Sequence, residues 1–193
     1  MSSMTAATGL PPGGPFALPW GRPLTAADLE TMPDDGHRYE LVDGVLIVTP
    51  SPLVPHQRVV GNLHVLLRAA CTDDLEVMLA PLDITVSDST VLQPDILVAA
   101  RTKLAGRKMV GLPVLAVEVL SRSTRLIDLN LKRAAFERAA VTSYWVVDPD
   151  RPSLTAWRLS DGAYVEVATV AGEEVWRSEL PFPLAVSPAT LVR

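Results

Sequence analysis

Four acids stand in stretches where acids are out of place. Asp95 interrupts VLQPDILVAA (residues 91–100) and Glu118 interrupts VLAVEVLS (residues 114–121), runs that are otherwise apolar almost throughout. Glu40 lies in YELVDGVLIV (39–48) and Asp83 in LEVMLAPLDITV (75–86). Burying a carboxylate in an apolar strand is costly unless it is paired, hydrogen-bonded or bound to a cation. Two such groups in neighbouring strands call for a common explanation, and a shared divalent metal is one. Hard oxygen donors suit Mg²⁺ or Mn²⁺, ions that polarise a phosphoryl oxygen and lower the pKa of a bound water. The plain alternative for each acid is a place on the solvent side of a half-exposed sheet.

Other chemistries fail on inspection. The chain holds three histidines (His37, His56, His64), with no CxxC or HExxH spacing, no GxGxxG after a strand, no P-loop and no GxSxG elbow. A nucleotide cofactor is therefore not expected. His56 and Gln57 fall at the first turn of an expected helix, where free backbone N–H groups point outward, and a solvated helix start is the plain reading of His56.

Periodicity supplies the elements that must position the acids. Residues 1–23, with GLPPGGPFALPWGRP, read as a flexible Pro/Gly-rich arm, and 24–193 as a single domain. TAAD from Thr25 matches a capping box opening a short helix that Pro33 ends. Asp43-Gly44 between two β-rich runs signals a hairpin. Val59, Leu63, Leu66, Leu67 and Ala70 recur at helical spacing over 56–70. Residues 75–86 read as one strand interrupted near Pro81, residues 91–100 and 114–121 as further strands, and 101–112 as a basic loop. Ser123 is the expected N-cap of a helix that ends near Ala140, with Arg125, Asp128 and Lys132 on one stripe and Ile127, Leu131 and Ala134 on an apolar side. SYWVVDPD (143–150) is another strand, and the remainder reads as an antiparallel meander with turns at Asp161-Gly162 and Ala171-Gly172. The order predicts an α/β domain, a mixed central sheet flanked by helices.

Bulk properties narrow the setting. A chain of 193 residues, 48% hydrophobic and 20% charged, has room for a substantial core. The single Cys71 cannot form an intramolecular disulfide, and neither a signal sequence nor a run of ~18 apolar residues occurs, so a soluble cytoplasmic protein is expected. A net charge of -5 argues against a broadly basic surface. A polyanion would have to meet local basic segments. Arg101, Lys103, Arg107 and Lys108, in the loop between the two acid-bearing strands, are the expected phosphate contacts, with Arg125 beside them.

The phrases RYELVDGVLI, PHQRVVGNL, QPDILV, VEVLSRST and DLNLKRAAFERAAVTSYWVVDP resemble, in that order, the signature segments of the Uma-two family of proposed endonucleases, placed in the restriction-endonuclease-like PD-(D/E)XK superfamily. The resemblance covers residues 25–150, and the combination is far more specific than any one phrase. It implies a nuclease core in which Glu40, Asp95 and Glu118 hold a divalent metal while a lysine assists the attacking water. The superfamily's E-x-K pattern would put that lysine at position 120, on the same strand face as Glu118, where this chain has Leu120. The family offers one on the following helix instead, matched here by Lys132. The expected activity is thus Mg²⁺- or Mn²⁺-dependent hydrolysis of nucleic acid, DNA rather than RNA. Two other classes stay open: an idle nuclease-like domain that binds nucleic acid or a partner protein, and a homodimerisation unit whose carboxylates only hydrogen-bond.

Overall fold

A computed structural model describes residues 18, 19, 21–105, 108–121 and 124–193. Most of the expected arm (1–17 and 20), Arg107 and the expected N-cap Ser123 lie outside the described residues. The chain enters through α1 (Ala26–Leu29), closed by the Thr25–Asp28 capping box that TAAD signalled. Strands β1 (Arg38–Val42) and β2 (Val45–Thr49) form the expected hairpin. Asp43 and Gly44 turn it with φ of 51° and 79°. A Cβ at Gly44 would meet Pro23 Cβ at 2.4 Å, so glycine is required there for space as well as for backbone angle.

Helix α2 (Val54–Ala70) follows and buries Val59, Val60, Leu63 and Leu67. Next come β3 (Leu75–Leu79), β4 (Ile84–Ser87), β5 (Thr90–Leu92), β6 (Ile96–Ala100), a 3-10 turn (Arg101–Lys103), the small pair β7 (Leu104–Ala105) and β8 (Lys108–Met109), and β9 (Leu115–Val119). A π-helical stretch (Ile127–Lys132) runs into α3 (Arg133–Arg138). Then follow β10 (Ser143–Asp148), β11 (Ser153–Ser160), β12 (Ala163–Ala171), β13 (Trp176–Ser178), β14 (Leu184–Val186) and α4 (Pro188–Leu191).

Among the described residues two main sheets form. The larger has the order β12-β11-β10-β9-β6-β3, parallel only between β9 and β10; the smaller has the order β2-β1-β5-β4. This is the expected mixed α/β architecture. The meander extends the large sheet through β11 and β12, whereas β13 and β14 pair apart from it.

Two expected strands prove to be four. Residues 75–86 divide into β3 in the large sheet and β4 in the small one, and residues 91–100 divide likewise into β5 and β6. Pro81 and Pro94 stand at the divisions, and a proline has no N–H for a ladder. Apolar sequence continues across each break because both sheets face core, so periodicity alone hides the change of sheet.

Alternation along β9 serves two cores. Leu115, Val117 and Val119 pack with α2 and the C-terminal residues Val186 and Leu191. Ala116 and Leu120 pack on the other side with Phe136, Tyr144 and the small sheet's Ile47 and Leu92. Deleting such a buried leucine side chain costs about 2–5 kcal/mol. Glu118 has the parity of the second side and lies where the two sheets meet. Among the described residues, no helix is long and apolar enough to cross a membrane.

Candidate functional site

Asp95 is not inside a strand. It occupies the bend by which the chain leaves β5 for β6, and the register Ile96↔Val117 sets it opposite Glu118 on β9. Residues directly opposite in an antiparallel pair point to the same face, so both carboxylates enter one cleft. Asp95 accepts from the Val119 backbone N–H at 2.8 Å and lies 3.1 Å from His56 Nε2. Arg38 Nη1 donates to its other oxygen at 3.0 Å and to the Gln93 carbonyl at 3.1 Å. Burial alone would raise the Asp95 pKa, but the His56 hydrogen bond, the Arg38 charge and the Val119 N–H hold it at about 2.

Glu40 comes to the same place from the small sheet. It is fully buried on β1, and its Oε1 accepts from the Gln93 backbone N–H at 2.7 Å. Two-residue alternation puts Arg38 on the same face as Glu40.

Lys132 closes the arrangement from the π-helical stretch. Its Nζ lies 2.8 Å from Glu40 Oε2, 3.1 Å from Glu118 Oε1 and 3.7 Å from Asp128 Oδ1. The Glu40 contact, the shortest of the three, is a buried ion pair. Expected as one stripe of a regular helix, Arg125, Asp128 and Lys132 in fact part company. Asp128 and Lys132 turn inward and are buried, while Arg125 swings to Asp148. Leu131, expected on the apolar side, is 39% exposed. The π geometry is the reason: i→i+5 bonding widens the turn and rotates the residues after it. Tyr144 Oη donates to the Asp128 carbonyl at 2.8 Å and so ties this irregular turn to β10.

The electrostatics are unbalanced. Four buried carboxylates (Glu40, Asp95, Glu118, Asp128) face the permanent charges of Lys132 and Arg38. Burial, only partly countered by Lys132, pushes Glu118 well above the ordinary carboxyl range, with Asp128, Asp95 and Glu40 adding to the rise. Burial likewise raises Asp128 to about 6 against the pull of Lys132 and the Thr124 hydroxyl. Lys132 is also shifted upwards, for the converse reason: burial opposes its charge, but Glu118, Glu40 and Asp128 overcome that and hold it protonated.

Among the described residues no three His, Cys, Asp or Glu side chains converge as a metal-ligand set. The geometry explains this, since Lys132 stands between three of the acids and Arg38 and His56 take up the fourth. The donor chemistry nevertheless fits a divalent ion. Its donors are hard oxygens, the negative charge exceeds the positive, and Asp95 and Glu118 line an accessible cleft of about 400 Å³. The cleft is walled by Thr49, Pro50, Leu53 and Pro55 on one side and by Ser121, Thr124 and Pro149 on the other.

The remaining expected residues lie elsewhere. Asp83 is exposed just ahead of β4 and accepts from Gln93 Nε2 at 2.6 Å, so it joins the Glu40 neighbourhood only through that side chain. Arg101 and Lys103 follow the far end of β6, ~16 Å from Asp95 at ~3.3 Å per strand residue. Arg101 is held by the Asp73 carbonyl and Glu76, and Lys103 by the Leu112 carbonyl. Lys108 belongs to β8 on the same outlying turn. The structure thus does not bring these basic residues to the acids, because Asp95 precedes β6 and the basic loop follows its other end.

Sequence reasoning missed Arg38, Asp128 and the part of His56, which is buried rather than solvated. The available signals were the two-residue spacing of Arg38 to Glu40 and the four-residue spacing of Asp128 to Lys132.

A family model described as "Putative restriction endonuclease" matches residues 26–191. A crystal structure of a protein described as a putative nuclease belonging to DUF820, from Anabaena variabilis ATCC 29413, superposes with a TM-score of 0.72 at 17% sequence identity, over 88% of this chain and 98% of that one. At that identity the likeness speaks for the fold. No curated protein matches the chain. With nearly its whole described length matched by one family model, the chain belongs to the Uma2 family of putative restriction endonucleases.

Proposed function

We propose that this chain is a metal-dependent endonuclease that hydrolyses phosphodiester bonds in DNA. The observation that carries the reading is the meeting of Asp95, Glu118 and the Lys132 ammonium at the floor of one cleft, Lys132 Nζ being 3.1 Å from Glu118. Asp95 and Glu118, with Glu40 behind them, are the residues that would hold Mg²⁺ or Mn²⁺. Such an ion supplies a Lewis acid for the phosphoryl oxygen and an activated water. Lys132, held protonated by three acids, cannot serve as a base; it donates hydrogen bonds and stabilises charge developing on the phosphoryl oxygens. Asp128 positions Lys132, and His56 and Arg38 fix the orientation of Asp95.

One observation favours a second reading, an idle domain that only binds nucleic acid: every acid of the cluster is already engaged by Lys132, or by Arg38 and His56. Incubation with plasmid and single-stranded DNA in Mn²⁺ separates the two. The nuclease reading expects cleavage that Glu118→Gln abolishes. Intact DNA with the wild type, together with equal DNA binding by both proteins, would establish the idle domain.

A further inference from the structure

A second hollow, about 550 Å³, opens on the other side of Asp95. It shares Arg38, His56, Asp95 and the Pro50–Pro52 strap with the cleft already described, so the two form one path across the acids. We propose that this path is built for an unpaired DNA strand and not for intact duplex, an inference that rests on the nuclease reading.

Charge argues first. Among the described residues lining the cleft, the cations are Arg38 and Lys132, set among Asp95, Glu118, Asp128 and Asp150. Both cations are already bonded to carboxylates of the site. Duplex binding draws its affinity chiefly from basic side chains that neutralise phosphates of the double helix, and the described residues of this lining have none to spare.

What the path does offer is apolar and aromatic surface. Leu53, 74% exposed, stands on the cleft wall among Pro50, Pro52 and Pro55. On the other side of Asp95 the second hollow is lined by His37 and Tyr39, with ring centroids 6.4 Å apart. One exposed leucine is ordinary. An apolar ledge and an aromatic pair flanking a candidate scissile position are a different matter, because they can receive only bases that are free of a duplex stack. Stacking of unpaired bases on such surfaces contributes about 1–3 kcal/mol per base, without sequence preference.

Fluorescence anisotropy of an oligo-dT strand and of a hairpin duplex of equal length, with EDTA present, tests this. The strand is expected to bind at least about tenfold more tightly than the duplex, and Leu53→Ser and Tyr39→Leu each to weaken strand binding by about tenfold, the scale of one stacking contact. Duplex binding and melting temperature should stay unchanged in Leu53→Ser, which removes only an exposed side chain. Duplex binding equal to or tighter than strand binding overturns the proposal, as does strand binding that neither variant weakens. Adding Mn²⁺ separates the two readings. Strand binding without cleavage by the wild type would remove the nuclease and keep the strand path; duplex cleavage that Leu53→Ser leaves untouched would do the reverse.

Discussion

Lys132 Nζ and Glu118 Oε1 meet at 3.1 Å across fourteen residues of chain, the lysine reaching back from the π-helical stretch to β9. The ammonium is 3% exposed and offsets three carboxylates at once. Removing one member of a buried ion cluster strands its partners, at a cost of about 3–5 kcal/mol. Lys132→Ala is therefore expected to lose that much in urea unfolding at neutral pH without metal. Pairing it with Glu118→Gln should restore part of the loss, giving a clear coupling energy. Where Lys132→Ala still folds, cleavage should fall by a hundredfold or more, the scale of one electrostatic group. Lys132→Arg should rescue poorly, since a planar guanidinium does not fit a pocket shaped around a point charge. An unchanged urea midpoint would contradict the buried cluster.

Asp128 makes the cluster sensitive to pH. Its carboxyl titrates at about 6 when folded against 3.8 for the free group, so the folded state binds the proton more tightly. Its contribution to stability must then fall as pH rises from about 4 to 6 and stay level above, by an amount on the order of 3 kcal/mol. Asp95 works in the opposite sense, adding stability above its ordinary value and losing it as pH falls towards about 2. Urea unfolding across pH 4 to 7 should show a flatter profile for Asp128→Asn than for wild type. Parallel profiles would show that Asp128 titrates normally.

The fold class was legible because it rests on periodicity: the hairpin at Asp43-Gly44, the apolar face of α2 and the doubly buried β9 are all local patterns. The division of two apolar runs between two sheets was not, since residues facing either core look alike. Among the acids, Glu40, Asp95 and Glu118 stood out by being polar in apolar company. Asp128 did not, because an acid four residues before a lysine reads equally well as a solvated pair. The inward turn of both residues depends on the π stretch and on Tyr144 capturing the Asp128 carbonyl, neither of which has a sequence signature.

Excess negative charge predicts a response to divalent ions that does not depend on catalysis. An ion bound only by the folded state stabilises it by about 2.7 kcal/mol at a hundredfold excess over Kd. For a chain of this length that is a rise in Tm of roughly 5–10 °C. Mn²⁺ should produce it in wild type and much less in Glu118→Gln, followed by thermal denaturation at neutral pH. Equal shifts in both proteins would mean that the ion binds elsewhere.

The basic loop is expected to take no part in binding duplex DNA. Arg101 and Lys103 follow β6 at the end remote from Asp95, and their side chains are already engaged, Arg101 by Glu76 and the Asp73 carbonyl, Lys103 by the Leu112 carbonyl. The Arg101–Glu76 pair is partly exposed and contributes little to stability, so its replacement should leave the fold intact. Each phosphate contact on duplex DNA adds ~0.9 to the slope of log affinity against log salt, so two contacts from this loop would add ~1.8. With both groups turned to the protein and the acids a strand's length away, Arg101→Gln combined with Lys103→Gln is expected to leave that slope unchanged. Anisotropy titrations over a series of salt concentrations measure it directly. A fall close to two contacts' worth would bring the basic loop back as the DNA-binding surface and require a substrate long enough to reach from it to Asp95.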